Sequence, residues 1–273
     1  EASGTVAIGK SALAALTDGA GNTAVGYQSM LTNTIGNRNI AIGYGAMDDT
    51  DDTFTDATCD YNDDPTITHD DDSGDIKVGM SVTGTGIPAN AYVDTVTSVT
   101  EFELNVSTTG GSVTDGTLTF SGCLASDDNI FIGYASGGGI WGAEGFTSQN
   151  VAIGSKTMDA NLDGANKNVA VGHQSLTDLT SGIYNTCLGA RAGTNLTTGG
   201  INVAVGSDSL YSSTDVDKCV FIGGDSGQGV LTSAADGTVG IGYSALNALT
   251  TGAQNTAIGY QAMLDVVEGG NNT

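Results

Sequence analysis

The chain has 273 residues, including 42 Gly and 2 Pro, and its 31 acidic against 7 basic side chains set a net charge of −24. Abundant glycine with so little proline excludes collagen, and an apolar content of 39% excludes simple disorder. The charge argues against binding nucleic-acid phosphates or anionic lipid surfaces, and no apolar run approaches the ~20 residues of a membrane span, so no membrane insertion is expected.

Residues 1–47 open a repeat. "NTAVGYQSM" at 22–30 returns as "NTAIGYQAM" at 255–263. Aligned on the glycine of A-[IV]-G, the copies fall at Gly9, Gly26 and Gly43 before an interruption. After it come Gly133, Gly154, Gly172, Gly189, Gly206, Gly223, Gly242 and Gly259. The steps are 17, 17, 90, 21, 18, 17, 17, 17, 19 and 17. A fixed period of this size marks a stack of like units.

Each unit follows the same rules. A β-branched residue stands three places before the glycine in all eleven copies, and an aliphatic residue one place before it. Asn stands four places before in eight, and Leu or Met four places after in eight. Turn residues such as "LTDGAGN" and "LTTGGIN" fill the remainder. The pattern predicts a strand buried on both faces, with Asn at a left-handed corner bonding its own backbone. Two such strands and two turns per unit make one coil of a β-solenoid or β-roll, about eleven coils and on the order of 50 Å long. Where the residue two before the glycine is bulky (Phe131, Cys187, Phe221), the residue four after it is Gly137, Gly193 or Gly227. Gly240 with Leu246 shows the converse. Each pair should therefore compete for one pocket.

Residues 48–126 form the interruption, expected to be an inserted acidic β-domain. The segment opens "DDTDDTFTDATCDYNDDPTITHDDDSGD" and holds sixteen acidic residues against Lys77. Its second half alternates Thr and Val between Gly-rich turns, which predicts a small β-sandwich or barrel. Cys59 and Cys123 lie near its two ends and could approach for a disulfide, whereas Cys187 and Cys219 in the repeat should stay apart. Residues 127–273 carry coils 4–11.

The units "NVAIGSKTM", "NVAVGHQSL" and "NVAVGSDSL" resemble the head repeats of trimeric autotransporter adhesins, in the "NTAIGYQAL" form also found in bacteriophage tail-fibre and other virion structural proteins. The insert's "VGMSVTGTGIPANAYVDTV" is similar to small β-modules of phage structural proteins. The resemblance covers about 200 residues and implies a left-handed parallel β-roll, three copies around one axis, and a role in attachment. The unit here is longer than the adhesin repeat, and no coiled-coil stalk accompanies it.

Catalytic chemistry has little footing, and no enzyme activity or cofactor is expected. His69 falls in the acidic loop, and His173 occupies a repeat slot that elsewhere holds Tyr27, Tyr44, Tyr134, Tyr243 or Tyr260. "GYASGGGIWG" lacks the strand–helix context of a nucleotide loop. "DANLDG" (Asp159, Asn161, Asp163, Gly164) opens like a calcium loop but has Ala170 at the twelfth position, so it reads as an extended turn. Asp63, Asp64, Asp70, Asp71, Asp72 and Asp75 are the better candidates for calcium, against a solvated acidic loop. Tyr61, Trp141 and Phe146, with the repeated Tyr row, are the candidate binding surface for a host glycan or protein.

These readings lead to a structural and attachment protein: a homotrimeric viral fibre segment within a virion, partnered by other virion proteins. The alternatives are a bacterial cell-surface adhesin head, bound to other surface proteins, and a polysaccharide-acting β-solenoid enzyme. The enzyme reading lacks a recurring row of carboxylates, and an ice-binding solenoid lacks outward Thr-x-Thr ranks. The closing "VVEGGNNT" stops where a further unit would continue, as in a longer protein or a unit that stacks end to end.

Overall fold

A computed structural model describes residues 3–16, 19–33, 36–48, 53–70, 76, 80–89, 91–121, 127–139 and 147–273. Among them there is no α-helix, only a 3-10 turn at Ser233–Ala235. The strands begin with β1 (Val6–Ile8), β2 (Thr23–Val25) and β3 (Ile40–Ile42). Next come β4 (Thr53–Asn62), β5 (Thr66–Thr68), β6 (Ser81–Gly84), β7 (Val93–Ser98), β8 (Glu101–Leu104) and β9 (Ser112–Ser121). The repeat then resumes with β10 (Ile130–Ile132), β11 (Val151–Ile153), β12 (Val169–Val171) and β13 (Thr186–Leu188). It closes with β14 (Val203–Val205), β15 (Val220–Ile222), β16 (Val239–Ile241) and β17 (Thr256–Ile258).

The repeat builds a β-solenoid. Eleven strands stack parallel in the order β1-β2-β3-β10 through β17. Every strand pairs slot to slot with the next, and Ile40 pairs with Ile130 across the long step, so the stack resumes in register. The winding makes about 13 turns, more than the eleven expected. Counting glycine signatures misses winding that has no strand. Asn272 begins such a turn, accepting from Thr256 N–H at 2.7 Å and donating its own N–H to Asn255 Oδ1 at 3.0 Å.

Each coil holds one three-residue strand rather than two. The rest is tight turn, yet the turns are laddered as the strands are. In the coil of Gly172, Gln174 N–H donates to Ser155 O on one neighbour, and Leu176 N–H to Ala192 O on the other. Gln174 (φ 57°) and Leu176 (φ 50°) are left-handed, as are their counterparts two and four places after each repeat glycine. Inter-coil hydrogen bonds hold these residues in a conformation that side chains ordinarily disfavour by ~1–2 kcal/mol.

The glycine itself is required by close approach. Gly172 has φ 134°, and a Cβ there would stand 2.4 Å from Gly189 O on the next coil. The same contact recurs from Gly9 to Gly242, while a Cβ on Gly259 would meet nothing closer than Ala262 Cβ at 4.0 Å.

The asparagines do not form the corner. The left-handed residue is the one before them, such as Lys167 (φ 59°) or Tyr184 (φ 59°), and the Asn side chains are buried in a ladder. Asn168 Oδ1 accepts from both the N–H and the Nδ2 of Asn185, at 2.9 and 3.1 Å. Asn168 Nδ2 donates to Gly182 O at 2.8 Å, fastening the loop of its own coil. The ladder runs unbroken from Asn22 to the backbone N–H of Cys219. Thr238 fills the slot after Cys219, and its Oγ1 is buried without a hydrogen-bond partner. The ladder starts again at Asn255.

The solenoid core gathers the central residues of the strands, from Ala24 to Ala257, with the Leu or Met four places after the glycine in the coils that carry one. The expected trade of volumes is present. A Cβ on Gly137 would lie 2.6 Å from Phe131, one on Gly193 2.8 Å from Cys187 Sγ, and one on Gly227 2.5 Å from Phe221. Gly240 has a different cause. Its space is taken by Phe221 of the preceding coil, 2.7 Å from where a Cβ would stand.

Strands β4–β9 form a separate six-stranded antiparallel sheet in the order β6-β9-β4-β5-β8-β7. It has its own hydrophobic cluster, including Cys59, Tyr61, Ile67, Phe102, Leu118 and Phe120. His69 lies in this core rather than in a solvated loop. Its Nδ1 is 3.1 Å from Asp56 Oδ2, both side chains are nearly fully buried, and the approach lacks hydrogen-bond alignment. Asp56 Oδ1 accepts from Thr58 N–H and Oγ1 instead, at 2.8 and 2.7 Å.

Candidate interaction face of the solenoid

The strands are not buried on both faces. Their central residue is buried in ten of the eleven, but the residues on either side point outward and are half-buried or exposed. This follows from strand alternation: a three-residue strand gives one side chain to the core and two to the opposite face. The outward positions are all aliphatic or threonine, so two apolar columns run the length of the sheet. In the column next to the glycines, Ile42, Ile153, Leu188 and Ile222 are 37–39% exposed, and Ile258 reaches 69%. A contiguous apolar strip of this length is unusual on a surface that faces only water.

A third column flanks them, in the slot after the glycine. Tyr27 and Tyr44 stack with centroids 5.2 Å apart and planes at 16°, and Tyr134 continues the stack 5.5 Å beyond Tyr44. Tyr243 and Tyr260 form a second stack at 5.7 Å. Lys10 Nζ sits 5.8 Å from the Tyr27 centroid. Within each stack neighbouring rings turn a face to one another. Between the two stacks the column holds Ser155, His173, Ala190, Ser207 and Gly224, so His173 occupies a repeat slot on the surface.

No family model, curated protein or solved structure matches the chain. The arrangement of its own residues therefore carries the functional argument.

The coil of β3 is described as far as Asp48, and the next coil resumes at Asp127, three residues before β10. The return is stitched down. Asp127 Oδ1 accepts from Asn37 N–H at 2.8 Å, and the Asp128 carboxylate takes Nε and Nη2 of Arg38. The guanidinium hydrogen bond holds the Asp128 carboxyl below the usual carboxylate range. Arg191 and Asp208 repeat the motif on adjacent coils at 2.7 and 2.8 Å, with the same downward effect on Asp208.

Other expected site residues are dispersed. Asp71, Asp72, Asp75, Trp141, Phe146 and Cys123 lie outside the described residues, which leaves the Cys59–Cys123 pairing there too. Asp63, Asp64 and Asp70 are exposed, and among the described residues no group of three or more ligating side chains is placed to hold a metal. Asp63 Oδ1 accepts from Gly111 N–H and Asp64 Oδ1 from Thr66 N–H, so both work as turn acceptors. Tyr61, expected on a binding surface, is only 4% exposed and donates its hydroxyl to Thr85 O at 2.6 Å. The "DANLDG" stretch is an extended turn that drops Leu162 into the core. Burial raises the Asp159 carboxyl.

Cys187 and Cys219 are separate free thiols buried in the solenoid. Burial pushes Cys187 up to about 12 and Cys219 to about 11, which leaves neither with useful thiolate at neutral pH.

Proposed function

We propose that this chain is a structural and attachment protein: a shaft segment of a homotrimeric viral fibre, carrying the residues 48–126 as an inserted domain. The observation behind this reading is the pair of outward apolar columns on the solenoid strands. Three copies brought together around one axis would remove them from water, and each aliphatic side chain, about one-third exposed in the single chain, would contribute ~0.5–1 kcal/mol to the assembly. In this reading residues 48–126 project from the shaft and leave the strand face clear. Left-handed winding and a place in the virion come from the resemblance of the repeat units.

The test is to charge the face without touching the core. Leu188→Lys with Ile222→Lys should reduce the assembly to single chains while the β circular-dichroism signal persists. An unchanged sedimentation rate in that variant would overturn the reading.

A further inference from the structure

The solvent face of the six-stranded sheet carries a groove of about 330 Å3. This is the small end of the ~300–1,000 Å3 range of ligand sites. It opens where β4 is paired with β9 on one edge and with β5 on the other. Cross-strand register sets Asp60 beside Thr68 and Asn62 beside Ser112. Alternation turns these four to solvent, while Tyr61 and Ile67 point into the core.

The β4–β9 ladder shifts register twice at this point, between Asp56 and Cys59 and between Cys59 and Tyr61. Bulges of this kind re-aim side chains, and here Thr114 joins the lining. Asp115 in the same stretch is left-handed, at φ 52°, and its N–H donates to Asp60 Oδ1 at 2.8 Å. Thr66 N–H fixes Asp64 Oδ1 in the same way at 3.1 Å. Both carboxylates are thus oriented before any ligand arrives, which lowers the cost of binding.

The chemistry of the lining narrows the ligand. It offers the hydroxyls of Thr68, Ser112 and Thr114, the amide of Asn62, and the carboxylates of Asp60 and Asp64, with no cation among the lining residues. An anionic ligand would meet like charge. An apolar one would strip water from these groups and return no hydrogen bond. The described residues offer no metal cluster. A neutral molecule rich in hydroxyls satisfies acceptors and donors together. We propose that this groove is a binding site for a neutral saccharide, with Asp60 and Asp64 accepting from sugar hydroxyls and Asn62 both donating and accepting. The site lies apart from the strand face of the solenoid and does not require the trimer.

Saturation-transfer NMR on the full chain tests it, with glucose, galactose, mannose, N-acetylglucosamine and N-acetylgalactosamine as probes. At least one sugar should receive saturation, and its affinity should fall about tenfold in Asn62→Ala and in Thr68→Val, the loss of one good hydrogen bond. Both changes are on the surface, and unchanged melting curves will establish that the variants fold. Leu188→Lys, on the solenoid, should leave sugar binding intact. No transfer to any of the five sugars would overturn the proposal, as would transfer that neither groove variant weakens. Binding of oligolysine in place of sugar, lost in the same variants, would assign the groove to a cationic partner instead and equally overturn it.

Discussion

The solenoid and the six-stranded sheet solve the same problem with different means. In the sheet, residues alternate in and out along strands such as β8, aromatic rings enter the core, and Phe102 meets Phe120 edge-on at 5.5 Å. In the solenoid the core is mostly small and aliphatic, and nearly every restraint comes from the equivalent slot of the next coil. The sheet's segment also concentrates charge, with sixteen of the 31 acidic residues. The difference teaches that repetition replaces local preference. Leu176, Met158 and Gln174 hold left-handed backbone because coils on both sides demand it, not because their side chains favour it.

The largest test of that contrast is Gly172→Ala. It combines backbone strain with a collision against Gly189 O, and should cost roughly 4 kcal/mol in urea unfolding. Gly259→Ala meets no such neighbour, so only the strain of ~1–3 kcal/mol should remain. Equal losses at the two sites would mean that close stacking is not what the glycines serve.

On the other side of the comparison, His69→Ala opens a cavity beside Phe102 in the sheet's core. It should lower the stability of the six-stranded sheet by ~2–3 kcal/mol. Calorimetry should show this loss in one transition, with the solenoid transition unmoved. A shift of both together would make the two cores a single cooperative unit.

Asn168→Ala removes an acceptor of two hydrogen bonds and a donor to Gly182 O. We expect ~2–3 kcal/mol, felt in its own coil and the next as faster amide exchange at Gly182 and Asn185. The reverse change sharpens the same point. Cys219→Asn with Thr238→Asn would close the break in the ladder and should stabilise the solenoid by ~1–2 kcal/mol.

Much of this was legible in the sequence, because a solenoid writes its contacts as a period. The parallel register and the exchange of volume between Phe131 and Gly137 both follow from aligned slots. What failed to show depends on neighbours in the stack. The partner of each Asn is the next Asn, seventeen or more residues away, so the side chain reads locally as a turn former. Gly240 is small because of Phe221 in another coil. Tyr61 could have been placed by alternation, since Cys59 and Tyr61 face inward while Asp60 and Asn62 face out, but the acidic run around them reads as loop. The apolar pattern predicts burial on both strand faces, and in a single chain the outward columns are half exposed.

Light scattering on the purified chain tests the central claim, that these columns are covered by identical copies. The account predicts a concentration-independent mass three times the 27.2 kDa of the chain. A mass of one chain, with the β signal intact, would contradict it.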